Sequence, residues 1–326
     1  MKIINCKLNH LTNPLGFDID APVVSWVTVE AKGKRQKSAR VRVSKQADFS
    51  ECLYDSGERA DIVNTGFELP VALEPMTRYY WKVAVTDDAG DSAASDVQWF
   101  ETAKSVTGAN AAWQAKWITP DADKSVQAVV STDIEIKKPV ARARGYMLGL
   151  GVYELYLNGE KQGEECLLPG FHAYDSWLQY QTFELELRQG DNLVELALGD
   201  GWYKGNFGLN KRYENYGDRL AAIAEIHIWY ADGTEQIVGT DETWRARASR
   251  VTESGIYCGE VYDAAADVEA AFGVKPIALG YDRLCPRLSP PIVVHERLKP
   301  VEVIRTPAGE TVLDMGQNMV GWLQFH

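Results

Sequence analysis

Basic residues are the scarcer charge in this chain of 326 residues: 34 lysines and arginines stand against 46 aspartates and glutamates, a formal net charge of −12. That balance, with no basic cluster, argues against a nucleic-acid or anionic-membrane partner. Long apolar runs are missing too. The opening Met1-Lys-Ile-Ile-Asn-Cys-Lys-Leu-Asn-His10 has no apolar core of signal-peptide length, and no later run approaches a membrane span. The expected compartment is therefore the cytoplasm. The 5 cysteines, at positions 6, 52, 166, 258 and 285, are odd in number, widely spread and free of any C-x-x-C pair, as befits reduced thiols rather than a disulfide framework. The 5 histidines form neither H-x-x-H nor H-E-x-x-H, which disfavours zinc chemistry. Cofactor signatures are absent as well. Gly149-Leu-Gly151 and Gly199-Asp-Gly201 lack the third glycine and following helix of a dinucleotide fingerprint, and there is neither a P-loop nor a Gly-x-Ser-x-Gly.

Helical periodicity is nearly missing. Only the Ala-rich stretch 263–272 and a turn near 48–53 carry any helical signal. What is present is alternation. Ala39-Arg-Val-Arg-Val-Ser44, Tyr80-Trp-Lys-Val-Ala-Val85, Tyr153-Glu-Leu-Tyr-Leu157, Asn192-Leu-Val-Glu-Leu-Ala197 and Ala224-Glu-Ile-His-Ile-Trp-Tyr230 all repeat with period two, the pattern of strands with one buried face. The expected fold class is all-β. The length allows roughly two to three domains of about 100–150 residues.

Residues 1–103 read as a fibronectin III/immunoglobulin-like sandwich. Tyr79 stands just before a strand, as in a tyrosine corner, Trp26 lies where a core tryptophan would, and Asp87-Asp-Ala-Gly90 is a turn. Small polar residues over 104–112 read as a linker. Residues 113–298 hold an Asn158-Gly159 hairpin, a second hairpin at Asp232-Gly233 and many short strands with long loops, which predicts a jelly roll. Residues 299–326 begin another β-unit, with a strand at 301–305, a Pro-Ala-Gly turn and a strand-like run to the last residue. Too short for a core of its own, this piece reads as the truncated start of a third β-sandwich domain.

The most elaborate segment is Leu198-Gly-Asp-Gly-Trp-Tyr-Lys-Gly-Asn206, followed by Arg212-Tyr-Glu-Asn-Tyr-Gly-Asp-Arg219. A minimal turn needs only a few small residues, so this loop is read as a binding surface. Trp202, Tyr203, Tyr213 and Tyr216 offer flat faces for a sugar or another apolar group, and Asp200, Lys204, Asp218 and Arg219 can hydrogen-bond hydroxyls. Three readings stand for this set: direct sugar contact, packing against another domain, and simple core filling. Asp218 and Arg219 also fit a surface salt bridge of little energetic weight. Tyr174 and Trp177, on a loop before the strand at 179–187, fit strand-edge packing better than binding. Asp200, Asn206, Asn215 and Asp218 could supply oxygens to a hard cation, but their spacing follows no regular ligand pattern, and no metal or cofactor is assigned. Glu164-Glu165, read as strand residues, would point to opposite faces and could not flank one bond.

The order of an immunoglobulin-like module, Gly151-Val-Tyr-Glu-Leu-Tyr-Leu-Asn-Gly159, Leu168-Pro-Gly-Phe171, Gly199-Asp-Gly-Trp-Tyr-Lys-Gly205, Tyr216-Gly-Asp-Arg219, Thr240-Asp-Glu-Thr-Trp244, Ile256-Tyr-Cys-Gly-Glu-Val-Tyr-Asp263 and Asp314-Met-Gly-Gln-Asn-Met-Val-Gly-Trp322 resembles bacterial α-L-rhamnosidases along essentially the whole chain. The resemblance implies a glycoside hydrolase that removes terminal L-rhamnose with inversion, with accessory β-domains ahead of an (α/α)6 barrel carrying the catalytic carboxylates. An inverting enzyme needs its two carboxyl groups roughly 6.5–9.5 Å apart. No motif here matches that pair, so no catalytic residue is carried over. The expectation is a non-catalytic N-terminal portion, inactive alone, serving recognition of a rhamnose-containing glycoside and docking of its own C-terminal catalytic domain. The alternative is a stand-alone carbohydrate-binding or structural β-module.

Overall fold

The structure, a computed structural model, describes residues 1–104, 113–208 and 212–324. No helix occurs among the described residues, and the chain is all-β. The two stretches with a helical signal open in turns instead and run into the strands Ala271–Pro276 and Cys52–Asp55. Asp263 Oδ1 accepts the Ala265 N–H at 2.9 Å and Asp48 Oδ1 accepts the Ser50 N–H at 3.0 Å, side-chain bonds that compete with helix where no apolar stripe stabilises it. Most of the linker at 104–112 lies outside the described residues; Lys104 is described.

Packing divides the chain into two units, Met1–Gly163 with Leu167–Pro290, and Glu164–Cys166 with Pro291–His326. The first opens with an immunoglobulin-like sandwich. One sheet joins Lys2–Leu8, Val23–Val29 and Phe67–Glu68, and the other runs Leu15–Phe17, Gln98–Thr102, Arg78–Asp87, Gln36–Ser44, Cys52–Asp55, with Ser92–Ala94 beside Arg78–Asp87. Along Arg78–Asp87 the alternation is realised directly: Tyr79, Trp81, Val83 and Val85 are buried and meet Trp26 in one core. The Tyr79 hydroxyl accepts the Glu74 N–H at 2.8 Å, tying the preceding crossover to the strand. Tyr79→Phe is expected to cost about 1–3 kcal/mol, since it strands a backbone donor; an unchanged urea midpoint would show that the donor finds water instead.

The rest of the first unit is a long sheet that doubles back. Its strand order runs Glu160–Lys161, Val152–Leu157, Gly190–Gly199, Ala128–Ile136, Arg245–Ala248, Ala271–Pro276, Ile118–Pro120, Ala221–Tyr230, Val140–Leu150, Leu178–Glu184, Leu284–Pro286, with Glu235–Gly239 beside Ala221–Tyr230. Side chains from both ends of this path share one core, including Leu155, Val194 and Val130 from one end and Met147, Ile226 and Ile228 from the other. The expected turns are in place: Asn158 and Gly159 both take positive φ, 54° and 82°, and Gly233 has φ 83°.

One-sided burial fails for the central strands. Ala221–Tyr230 and the inner part of Val140–Leu150 are buried on both faces. Ala222, Ala224, Ile226 and Ile228 fill the main core, while Ala221 and Ile223 join Tyr146, Leu148, Tyr174, Leu178 and Tyr180 in a second core behind it. Ala103 of the immunoglobulin-like domain packs into that second core. A face that reads as polar therefore lies inside, where each polar group needs a partner.

In the second unit Glu302–Arg305 pairs with Thr311–Asp314 around Gly309, φ 84°. Both strands are exposed along their whole length, as expected of an isolated two-stranded ribbon. The strand-like run beyond Asp314 is in no strand as far as residue 324, and Phe325 and His326 lie outside the described residues. Glu164 and Glu165 likewise lie in no strand.

Candidate functional site

The loop after Gly190–Gly199 is a braced structure. Lys204 and Gly205 donate backbone N–H groups to the Asp200 carbonyl at 3.1 and 3.3 Å, closing a tight turn. The return arm is tied back onto it: the Glu214 N–H reaches the Lys204 carbonyl at 2.8 Å and the Tyr216 N–H reaches the Tyr203 carbonyl at 3.1 Å. Residues 209–211 lie outside the described residues. Two glycines permit this course. Gly201 has φ 52°, and a Cβ there would sit 2.7 Å from the Val152 nitrogen; at Gly217 one would sit 2.2 Å from the Tyr203 hydroxyl oxygen.

The predicted set separates into layers. Lys204 is buried, its Nζ 2.6 Å from Asp200 Oδ1, and the same oxygen accepts Gln127 Nε2 at 2.8 Å. These charges hold the loop against the strands rather than face solvent, and Asp200 is already committed to a cation and a donor. Trp202, Tyr203 and Tyr216 are half-buried on the second core. Tyr174, at the centre, packs against Tyr203 with ring centroids 5.3 Å apart and against Tyr216 at 5.0 Å. Tyr213 is exposed, and so are Asp218 and Arg219, which face each other at 3.4 Å. Trp177 is exposed, whereas Tyr174, from the same loop, is core.

Two aromatics outside the predicted set complete the surface. Phe171, more than half exposed, lies 6.0 Å from Trp202 and 5.9 Å from Phe207, and Phe207 stacks on Tyr216 at 6.3 Å. The result is a continuous aromatic patch, Phe171–Trp202–Phe207–Tyr216. Phe207 directly follows the loop motif and was legible as part of it; Phe171 comes from a separate segment and is joined only by folding. Beside it His172 is buried, and burial pushes its imidazole pKa down to about 4, so the ring is neutral near pH 7. Neither His172 nitrogen nor Asn206 Oδ1 has a hydrogen-bond partner among the described residues. No group of three or more His, Cys, Asp or Glu residues among them could hold a metal. What the arrangement offers is stacking area with hydrogen-bonding groups close by, which is the chemistry of binding.

An immunoglobulin-like sandwich joined to a larger doubled-back β-domain, the latter bearing a braced aromatic loop, defines a tandem β-domain protein. Residues 138–274 match the family model of the α-L-rhamnosidase N-terminal domain, and residues 3–105 match that of the Rha78A-like N-terminal immunoglobulin domain. Both matched stretches are similar to N-terminal β-domains of α-L-rhamnosidases. It is 28% identical to an α-L-rhamnosidase of Formosa agariphila, over 98% of this chain and 38% of that protein, and 33% identical to one of Streptomyces avermitilis, over 56% of this chain and 19% of that protein. The structure of the α-L-rhamnosidase from Dictyoglumus thermophilum superposes with a TM-score of 0.79 at 26% identity, covering 98% of this chain and 39% of that one. That of Streptomyces avermitilis, complexed with L-rhamnose, gives 0.80 at 21% identity over 98% of this chain and 49% of that one, a likeness of fold. The chain thus spans well under two thirds of the relatives it matches.

Proposed function

We propose that this chain is the non-catalytic N-terminal portion of an α-L-rhamnosidase, and that the loop at 198–219 contacts the L-rhamnose-containing glycoside. The observation that carries this reading is the aromatic patch itself. Phe171 and Trp202 present flat apolar area at the surface, while Lys204, Asp200 and Gln127 hold the backbone beneath them still. A pre-organised platform loses little entropy on binding, which is what a saccharide site requires. Sugar C–H faces stack on Trp202, and the exposed Tyr213, Asp218 and Arg219 supply donors and acceptors at its edge. The chemistry of bond cleavage would then reside in an (α/α)6 catalytic domain.

A second role, docking of that catalytic domain, has its own support. In the second unit Val303 and Val312 are exposed on a ribbon too small to bury them, and Val320, Trp322 and Leu323 are exposed on the segment that follows it.

Titration with L-rhamnose is expected to quench tryptophan fluorescence saturably, and Trp202→Ala is expected to weaken binding about tenfold or more, the worth of one good aromatic contact. A flat titration would overturn the sugar-contact role and leave docking. No release from an aryl α-L-rhamnoside is expected of this chain by itself; turnover would overturn the non-catalytic reading.

A further inference from the structure

Where the immunoglobulin-like domain meets the second domain within the first unit, a groove of about 450 Å³ opens to solvent. That volume falls within the range of small-ligand clefts, roughly 300–1,000 Å³. Lys45, Arg78 and Tyr80 line it from one domain and Arg142, Arg144 and Glu184 from the other, so 4 cations face 1 carboxylate in a chain of net charge −12. Most of these cations are answered. Arg144 and Arg78 both bond Glu101 and Glu184, and Lys45 lies 2.6 Å from Glu74.

Arg142 is different. Its guanidinium lies over Trp229, Cζ 3.8 Å from the ring centroid, and Nη1 donates to the Met76 carbonyl at 3.1 Å. No carboxylate lies within ion-pair distance of it among the described residues, so a fixed planar cation is presented with part of its donor fork unused.

We propose that this groove is a second saccharide site, specific for a carboxylated sugar. A uronate carboxylate matches the planar fork of Arg142, and Glu184, with 49% of its side chain exposed, accepts ring hydroxyls from the same wall. The same Glu184 repels a bare dianion, which separates a uronate from sulfate or phosphate. Arg142 and Glu184 both belong to the second domain, and Lys45, Arg78 and Tyr80 of the immunoglobulin-like domain close the groove opposite. The assignment does not depend on L-rhamnose binding at the aromatic loop.

The test is calorimetric titration of the full chain with sodium D-glucuronate, D-glucose and sodium sulfate at matched ionic strength. Saturable heat is expected with glucuronate and none with glucose. Arg142→Ala should weaken glucuronate binding about tenfold or more, the size of a lost charge-assisted bond. Arg142→Lys, which keeps the charge and loses the fork, should also weaken it, and both variants should retain the parent's far-ultraviolet circular dichroism and a cooperative urea transition as evidence of folding. Absent heat with glucuronate, equal responses to glucuronate and glucose, or parental affinity in both variants would overturn the site. Sulfate binding as tight as glucuronate would overturn the saccharide assignment.

Discussion

Arg144→Ala is expected to destabilise the first unit by about 3 kcal/mol. Glu101, on the immunoglobulin-like domain, has no exposed side-chain surface; it receives Arg144 Nε at 2.6 Å and Nη2 at 2.9 Å, from a residue itself almost fully buried. Breaking a buried pair by deleting one member typically costs 3–5 kcal/mol, because the other charge is left without its partner in a medium that solvates it poorly. Arg78, 2.8 Å from the same carboxylate, remains in the variant and brings the effect to the lower end of that range. Denaturant unfolding would measure it. Glu101→Gln combined with Arg144→Met should lose less than Arg144→Ala alone, since no charge is then stranded. An Arg144→Ala midpoint equal to the parent's would mean that Glu101 rearranges to water or to Arg78 at no cost.

Glu225→Gln is expected to lower stability by about 2–4 kcal/mol at pH 7, and the loss should vanish in acid. Glu225 lies on the inner face of Ala221–Tyr230 with no exposed side chain. Its carboxylate pairs with Lys104, has His227 Nε2 at 2.7 Å, and accepts the Gln114 and Ala115 N–H groups at 2.6 and 3.2 Å. Burial acts to raise its pKa, but the bonds from His227 and Lys104 and the charge of Lys104 more than offset this, holding it down to about 2 against an ordinary 4.5. A depressed carboxylate contributes stability that is fully present above its unfolded pKa and is lost as pH falls toward the folded one. The window is therefore about pH 4.5 down to about 2. Thermal unfolding of parent and variant across that window should show the two curves converge. A gap that stays constant with pH would place the effect in shape rather than charge.

Local features were readable from the chain because their causes are local. The hydroxyl of Tyr79 needs only Glu74, five residues back, and Asn158-Gly159 needs only two residues tolerant of positive φ. The aromatic loop was visible from its composition, and its exposed members, Tyr213, Asp218 and Arg219, are those with the fewest long-range demands. Phe171 could not be assigned to the patch beforehand, since nothing in its own segment says that it will lie 6.0 Å from Trp202.

Period-two alternation, turn residues and the absence of helical stripes by themselves determined an all-β chain with an immunoglobulin-like start, because strand faces and tight turns depend on neighbours in sequence. Only the tertiary structure decided which faces were truly outside. Ala221–Tyr230 is covered on both sides, its second face by Ala115, Trp117, Tyr146 and Tyr180 together with Ala103, and Glu225 and His227, buried on that face, pair with each other. It also decided that Lys204 is a brace, because Asp200 sits one turn away and Gln127, 73 residues before Asp200, lies just ahead of the strand Ala128–Ile136. Gln127 reaches Asp200 because Ala128–Ile136 pairs with Gly190–Gly199, and desolvation then fixes which charges hold the loop.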